Sequence, residues 1–256
     1  MSAPQAEPGE PGHVGTASQP APAARAPGPP RSVDLKVPGH RAAVLSIPPG
    51  TSPAPVLIAT HGAGDRAEEH CAHWAARVGQ DAFVLCPRGV PMTRHPQTGY
   101  FFRHHHALGE EIQDALAELR VAHPRADTKG MVLAGYSQGS IMGALHAHTV
   151  PDQIARLLLV EGGFDEWDVG TAKRYLAAGG KRVALVCGIT HCAQRAKHAH
   201  AALKRGGVPV QSAYVAGGGH TYAGRVGEQA AALLPWLVQD DKRWDAWRQR
   251  AASEPR

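Results

Sequence analysis

The stretch Met131-Val132-Leu133-Ala134-Gly135-Tyr136-Ser137-Gln138-Gly139, MVLAGYSQG, decides how the rest of the chain is read. Its first four residues form an apolar run of the length expected for a short buried strand. They lead into Gly135-Tyr136-Ser137-Gln138-Gly139, a G-x-S-x-G pattern, and then into Ser140-Ile141-Met142-Gly143-Ala144-Leu145, which reads as a helix start. A strand, a tight turn and a helix are the context in which a serine hydroxyl is held exposed above a sheet. Small residues at 135 and 139 let strand and helix pass without a Cβ collision. Ser137 is therefore the candidate nucleophile. A five-residue pattern also arises by chance, so its weight depends on what stands at the neighbouring strand ends.

Upstream, residues 33–37 and 42–47 read as an opening hairpin, and the run Val56-Leu57-Ile58-Ala59-Thr60 as a central strand buried on both faces. His61-Gly62-Ala63-Gly64-Asp65 follows, then a helix over 66–78, a strand over 82–86 and a long irregular stretch over 87–105. A loop of that length inside a compact domain usually has a function. Ile112, Leu116 and Leu119 give one apolar face to a helix over 109–122. Downstream come strands over 154–160, 183–186 and 208–215, alternating with helices over 171–178 and 193–205. Val226, Ala230, Leu233 and Leu237 mark a last amphipathic helix, which Pro235 is expected to kink or restart. Such alternation argues for a parallel sheet covered by helices.

The 256 residues suit one domain of moderate size plus a tail. Residues 1–32 are rich in Pro, Ala and Gly and nearly free of large apolar side chains, so they are expected to be a disordered linker ahead of a domain at 33–256. The net charge of +5 is mild and no Lys/Arg block exceeds a pair, which argues against a nucleic-acid partner. No apolar stretch of about 18 residues is present, so no transmembrane segment is expected, and the start of the chain lacks a secretory signal pattern. The cysteines fall as Cys71 with Cys86 and Cys187 with Cys192. Each pair is positioned for a disulfide, which would place the protein in an extracytoplasmic, oxidising compartment; free buried thiols in a cytosolic protein are the alternative.

Catalytic residues of open α/β sheets collect at the carboxyl ends of strands. Ser137 occupies one such end, and His220, in Gly217-Gly218-Gly219-His220, occupies another. LIATHGAGD at 57–65, GYSQG at 135–139 and GGGH at 217–220 together resemble the α/β-hydrolase superfamily. The resemblance spans about 33–236 and is nearest to the small carboxylesterases and acyl-thioesterases, together with the polyhydroxyalkanoate-depolymerase-like esterases. It implies the α/β-hydrolase fold, a mostly parallel central sheet with helices on both faces. It also implies hydrolysis of an ester or thioester through an acyl-serine intermediate. The implied oxyanion hole is formed by the N–H groups of Ala63 and Gln138. No cofactor or metal is implied. No insertion is long enough for a separate lid domain, so an open cleft for a small-molecule ester is expected, in a protein read as a monomer.

The sequence departs from that branch at the acid. Its members carry a G-x-x-D turn after the penultimate strand, and here the turn is Gly188-Ile189-Thr190-His191. A histidine cannot act as the anionic partner. Glu161, directly after the apolar run 154–160, is the preferred candidate, because a carboxylate there would be buried at high cost without a partner. Asp165 and Asp168 on the same loop remain alternatives. So do a degenerate, non-catalytic binding protein that keeps the fold and an acyltransferase with the same triad.

His61, Gly62, Tyr136 and Tyr100 are assigned to the substrate side, although a histidine in an H-G turn more often serves the scaffold. Asp65 is expected to cap the following helix or tie down the oxyanion turn. His104-His105-His106 resembles a metal tract, but consecutive helical residues point apart. Tyr100, Phe101 and Phe102 read as the wall of an acyl pocket or as loop anchors. Trp236, Trp244 and Trp247 are expected to dock the last helix.

Overall fold

The computed structural model describes residues 1, 28–93, 95 and 98–253. Ten strands run in chain order: β1 Arg31–Leu35, β2 Ala43–Ile47, β3 Ala54–Thr60, β4 Phe83–Cys86, β5 Val90–Pro91, β6 Tyr100–Phe101, β7 Ala126–Tyr136, β8 Ile154–Val160, β9 Arg182–Cys187 and β10 Val210–Tyr214. The helices are α1 Ala67–Val78, α2 His105–Ala122, α3 Gln138–Ala147, α4 Val169–Ala177, α5 Thr190–Arg205, α6 Gly224–Leu237 and α7 Asp245–Ser253. Most of the expected linker lies outside the described residues, and β1 already begins at Arg31.

Eight strands form one sheet in the order β1-β2-β4-β3-β7-β8-β9-β10. The β1–β2 and β2–β4 pairings are antiparallel, and every pairing from β4 to β10 is parallel. Central strands are apolar throughout because both faces are covered. Val56 and Ile58, Leu133, and Leu157 and Leu159 face one core, shared with α2, α3 and α5. Leu57 and Ala59, Val132 and Ala134, and Leu158 and Val160 face a second core, shared with α1, α6 and α7. The period of two along each strand thus feeds two helical layers. Leu108, Ile112, Leu116 and Leu119 are fully buried along α2, each contributing roughly 1.5–3 kcal/mol of burial.

Several boundaries differ from the sequence expectation. β7 runs from Ala126, well before the apolar run, because its polar first half pairs with the start of β3. α2 begins at His105, since His104 caps it by accepting Ala107 N–H at Nδ1, 3.1 Å away. The His tract is therefore spent on a helix start. The stretch 87–105 contains the two-residue ribbon β5–β6, docked by Gly64 N–H to Tyr100 C=O at 2.8 Å and Tyr100 N–H to Asp65 C=O at 2.8 Å. Pro235 is accommodated in the last turn of α6. Beyond it, Trp244 and Trp247 meet edge to face at 5.7 Å, and Trp247 Nε1–H donates to Arg77 C=O at 2.7 Å, docking α7 against the end of α1.

Candidate active site

β7 delivers Ser137 at its carboxyl end with φ 49° and ψ −116°, a conformation costly for a side-chain-bearing residue. The turn persists because its surroundings hold it. Ser137 N–H donates to Val160 C=O at 2.9 Å, and Ile141 N–H to Ser137 C=O at 3.1 Å. Ser140 Oγ bonds both main-chain groups of Val160, at 3.0 and 3.1 Å. A Cβ on Gly135 would lie 2.7 Å from Ser140 Cα, and one on Gly139 would collide with the carbonyls of Thr60 and His61. The glycines at 135 and 139 are therefore steric requirements of the strand-to-helix crossing.

His220 sits after β10, its side chain 47 % exposed, with Nε2 2.9 Å from Ser137 Oγ. Its Nδ1 lies 3.1 Å from Glu161 Oε2. Glu161 follows β8 directly, at φ 59°, with its side chain fully buried. Its other oxygen, Oε1, accepts Gly188 N–H. Tyr136 O–H donates to His220 C=O at 2.8 Å, so the tyrosine braces the histidine loop. The structure thus brings Ser137, His220 and Glu161 into one hydrogen-bonded chain. Asp165 instead pairs with Arg195, and Asp168 caps α4 by accepting Thr171 N–H at 2.6 Å.

Across the turn, Asp65 Oδ2 accepts Gly62 N–H at 3.2 Å and Asp65 N–H returns to Gly62 C=O at 3.2 Å. Burial raises the Asp65 carboxyl above its ordinary range, with the nearby His61 and the Gly62 amide opposing. Ala63 N–H and Gln138 N–H have no hydrogen-bond partner among the described residues. The Gln138 side chain is engaged, its Oε1 accepting Phe102 N–H at 2.9 Å. His61 is wholly buried, with ring nitrogens 2.8 Å from Gly62 C=O and 3.0 Å from Arg88 C=O. A neutral ring can donate to only one of them, and either way the side chain supports the turn from beneath. Tyr100 is 7 % exposed and also lies under the turn.

Two contributors were not foreseen. Glu111, on α2, is 4 % exposed and accepts Arg88 N–H at 2.7 Å and Gly89 N–H at 3.1 Å. It fixes the turn on which His61 rests. Gln138's side-chain bond to Phe102 is the other. Neither has a signal in local sequence, because each partner lies more than twenty residues away.

Cys71–Cys86 and Cys187–Cys192 are both joined as disulfides, with Cα separations of 5.7 and 5.6 Å. No helix among the described residues is long and apolar enough to cross a membrane.

Sheet order, elbow geometry and strand-end placement define an α/β-hydrolase fold. No family model matches the chain, and no curated protein matches it either. Solved structures do. TT1662 from Thermus thermophilus is similar with a TM-score of 0.62 at 18% identity, over 82% of this chain and 98% of that one. A Bacillus cereus carboxylesterase aligns with a TM-score of 0.57 at 18% identity, over 77% and 93%. Pyrococcus horikoshii acylaminoacyl peptidase aligns with a TM-score of 0.58 at 16% identity, over 82% of this chain and 41% of the peptidase.

Proposed function

We propose that the protein is a serine hydrolase cleaving carboxylic ester or thioester bonds through an acyl-serine intermediate. The observation that carries this reading is the continuous chain from Ser137 Oγ to His220 at 2.9 Å and from His220 to Glu161 at 3.1 Å. Ser137 Oγ attacks the carbonyl carbon while its proton passes to His220 Nε2. Glu161 holds Nδ1–H in place and stabilises the imidazolium that forms. The oxyanion is received by the free N–H groups of Ala63 and Gln138, each worth about 2.7–4 kcal/mol in such sites. His220 then protonates the departing alcohol or thiol, and water repeats the sequence in reverse to release the acid. The exposure of His220 supports an open site reached without a lid.

The two disulfides support action in an oxidising, extracytoplasmic compartment. A fluorophosphonate probe tests the proposal. The wild type is expected to label at Ser137 and to hydrolyse short activated esters, and Ser137→Ala to do neither. A folded wild type that neither labels nor turns over would sink it.

A further inference from the structure

The two disulfides occupy different places in the fold. Cys71–Cys86 ties α1 to the end of β4, whereas Cys187–Cys192 ties the end of β9 to the first turn of α5. The second bond closes the segment Gly188-Ile189-Thr190-His191 directly behind the acid. Both of its sulfurs lie within 4.8 Å of a Glu161 carboxylate oxygen and of each other, and both cysteines are buried.

Gly188, the residue next to the bond, is used in both directions. Its N–H donates to Glu161 Oε1, and its C=O accepts Gly219 N–H at 3.2 Å. Gly219 immediately precedes His220. One residue back, Cys187 C=O accepts Val215 N–H at 2.8 Å, anchoring the exit of β10. The same short segment therefore holds the carboxylate on one side and the histidine loop on the other. Without the bond, Gly188 has no side chain to limit rotation of its own peptides. Glu161 would then lose the donor that fixes Oε1, leaving a buried carboxylate free to turn away from His220.

We propose that the Cys187–Cys192 disulfide is a positioning element for the Glu161–His220 pair, setting their alignment through the Gly188 peptide. The proposal rests on the serine-hydrolase reading and extends it to control by thiol redox state. Two electrons and two protons from an external dithiol would convert the bond to two thiols, with the dithiol leaving as its own disulfide. That change releases the Gly188 segment without touching any reacting atom.

The test compares Cys187→Ala/Cys192→Ala with Cys71→Ala/Cys86→Ala. The first pair is expected to lower kcat about 10- to 100-fold, the loss that accompanies a misplacement on the order of 1 Å, with KM little changed. The second pair is expected to lower Tm and leave kcat near the wild-type value. In a Glu161→Gln background, removing Cys187–Cys192 should add almost nothing, since groups that act as one unit are not additive. Full kcat in the folded first variant, or a loss that simply multiplies that of Glu161→Gln, would overturn the proposal. Should that variant not fold, the Cys71→Ala/Cys86→Ala protein is reduced with dithiothreitol at 25 °C. Activity should fall as two thiols become titratable and return on reoxidation; two thiols without loss of activity would refute the inference. Absence of probe labelling and turnover in the wild type would instead mean that the hydrolase reading itself is wrong.

Discussion

Glu111 and Glu161 are both buried carboxylates that accept main-chain amides, yet they do different things. Glu111 has both oxygens on the amides of the Arg88–Gly89 turn, and among the described residues nothing else reaches it. Glu161 gives one oxygen to Gly188 and keeps the other for His220. Burial of a carboxylate is thus no functional sign by itself. What distinguishes Glu161 is an oxygen left over, aimed at an imidazole, on a residue held at φ 59°. The largest expected effect follows from that difference. Glu161→Gln should cut kcat about 10⁴-fold, as a misheld histidine tautomer does elsewhere, while the fold is retained. Glu111→Gln should leave kcat near the wild-type value. Steady-state kinetics on an activated ester, with circular dichroism as a control, decides it: equal losses in the two variants would erase the distinction.

Stability should rank them the other way. Truncating Glu111 to Ala strands the Arg88 and Gly89 amides in the core and opens a cavity, at a cost of about 3 kcal/mol. Glu161→Ala also opens a cavity but strands one amide rather than two, so a smaller cost of about 2 kcal/mol is expected. Denaturant unfolding measures both. A Glu161→Ala protein less stable than Glu111→Ala would make the acid a structural residue first.

The same contrast explains what was legible in the sequence. Ser137 and Glu161 each follow an apolar run, and His220 follows a triple-glycine turn after the last strand, places where a chemistry-bearing residue is conspicuous. Spatial adjacency then follows from sheet order. Glu111 is invisible because Glu110-Glu111 beside Gln113 and Asp114 looks like an ordinary solvated helix face. Its burial is decided by the Arg88–Gly89 turn, a tertiary partner that no window around position 111 contains. The ribbon β5–β6 escaped for a related reason: two-residue pairings are set by docking onto Gly64 and Asp65 rather than by strand propensity. α7 was unread because its anchors are two tryptophans on an otherwise polar segment.

Asp65 lies between the two glutamates in character, half-buried, with one oxygen on Gly62 N–H and burial raising its pKa. It touches no reacting group and shapes the turn carrying Ala63. Asp65→Ala should lower kcat about tenfold, equivalent to the loss of one hydrogen bond of about 1.4 kcal/mol, with KM less affected. Asp65→Asn, which keeps the acceptor, should recover most of it. An unchanged kcat in Asp65→Ala would show that the turn holds without its brace.

His70 supplies the converse of both glutamates, a buried titratable group with no carboxylate at hand. It is 1 % exposed, and burial, reinforced by the rings of His61 and His73, pushes its imidazole down to about 3. The folded value therefore lies below the ordinary value of 6.5, and the unfolded chain binds the extra proton. Its stabilising contribution is complete above about pH 6.5 and is lost progressively as the pH falls toward 3. His73, His146 and His148, each pushed down to about 4 chiefly by burial, act in the same direction. Unfolding free energy should thus fall on acidification through the window in which paired carboxylates are still ionised. In His70→Leu, one linked proton is removed, so the slope between pH 4 and 6 should be shallower by about 1 kcal/mol per pH unit. Denaturant titrations at several pH values measure that slope. An identical slope in the variant would mean that His70 is protonated in the native state as readily as in the unfolded chain.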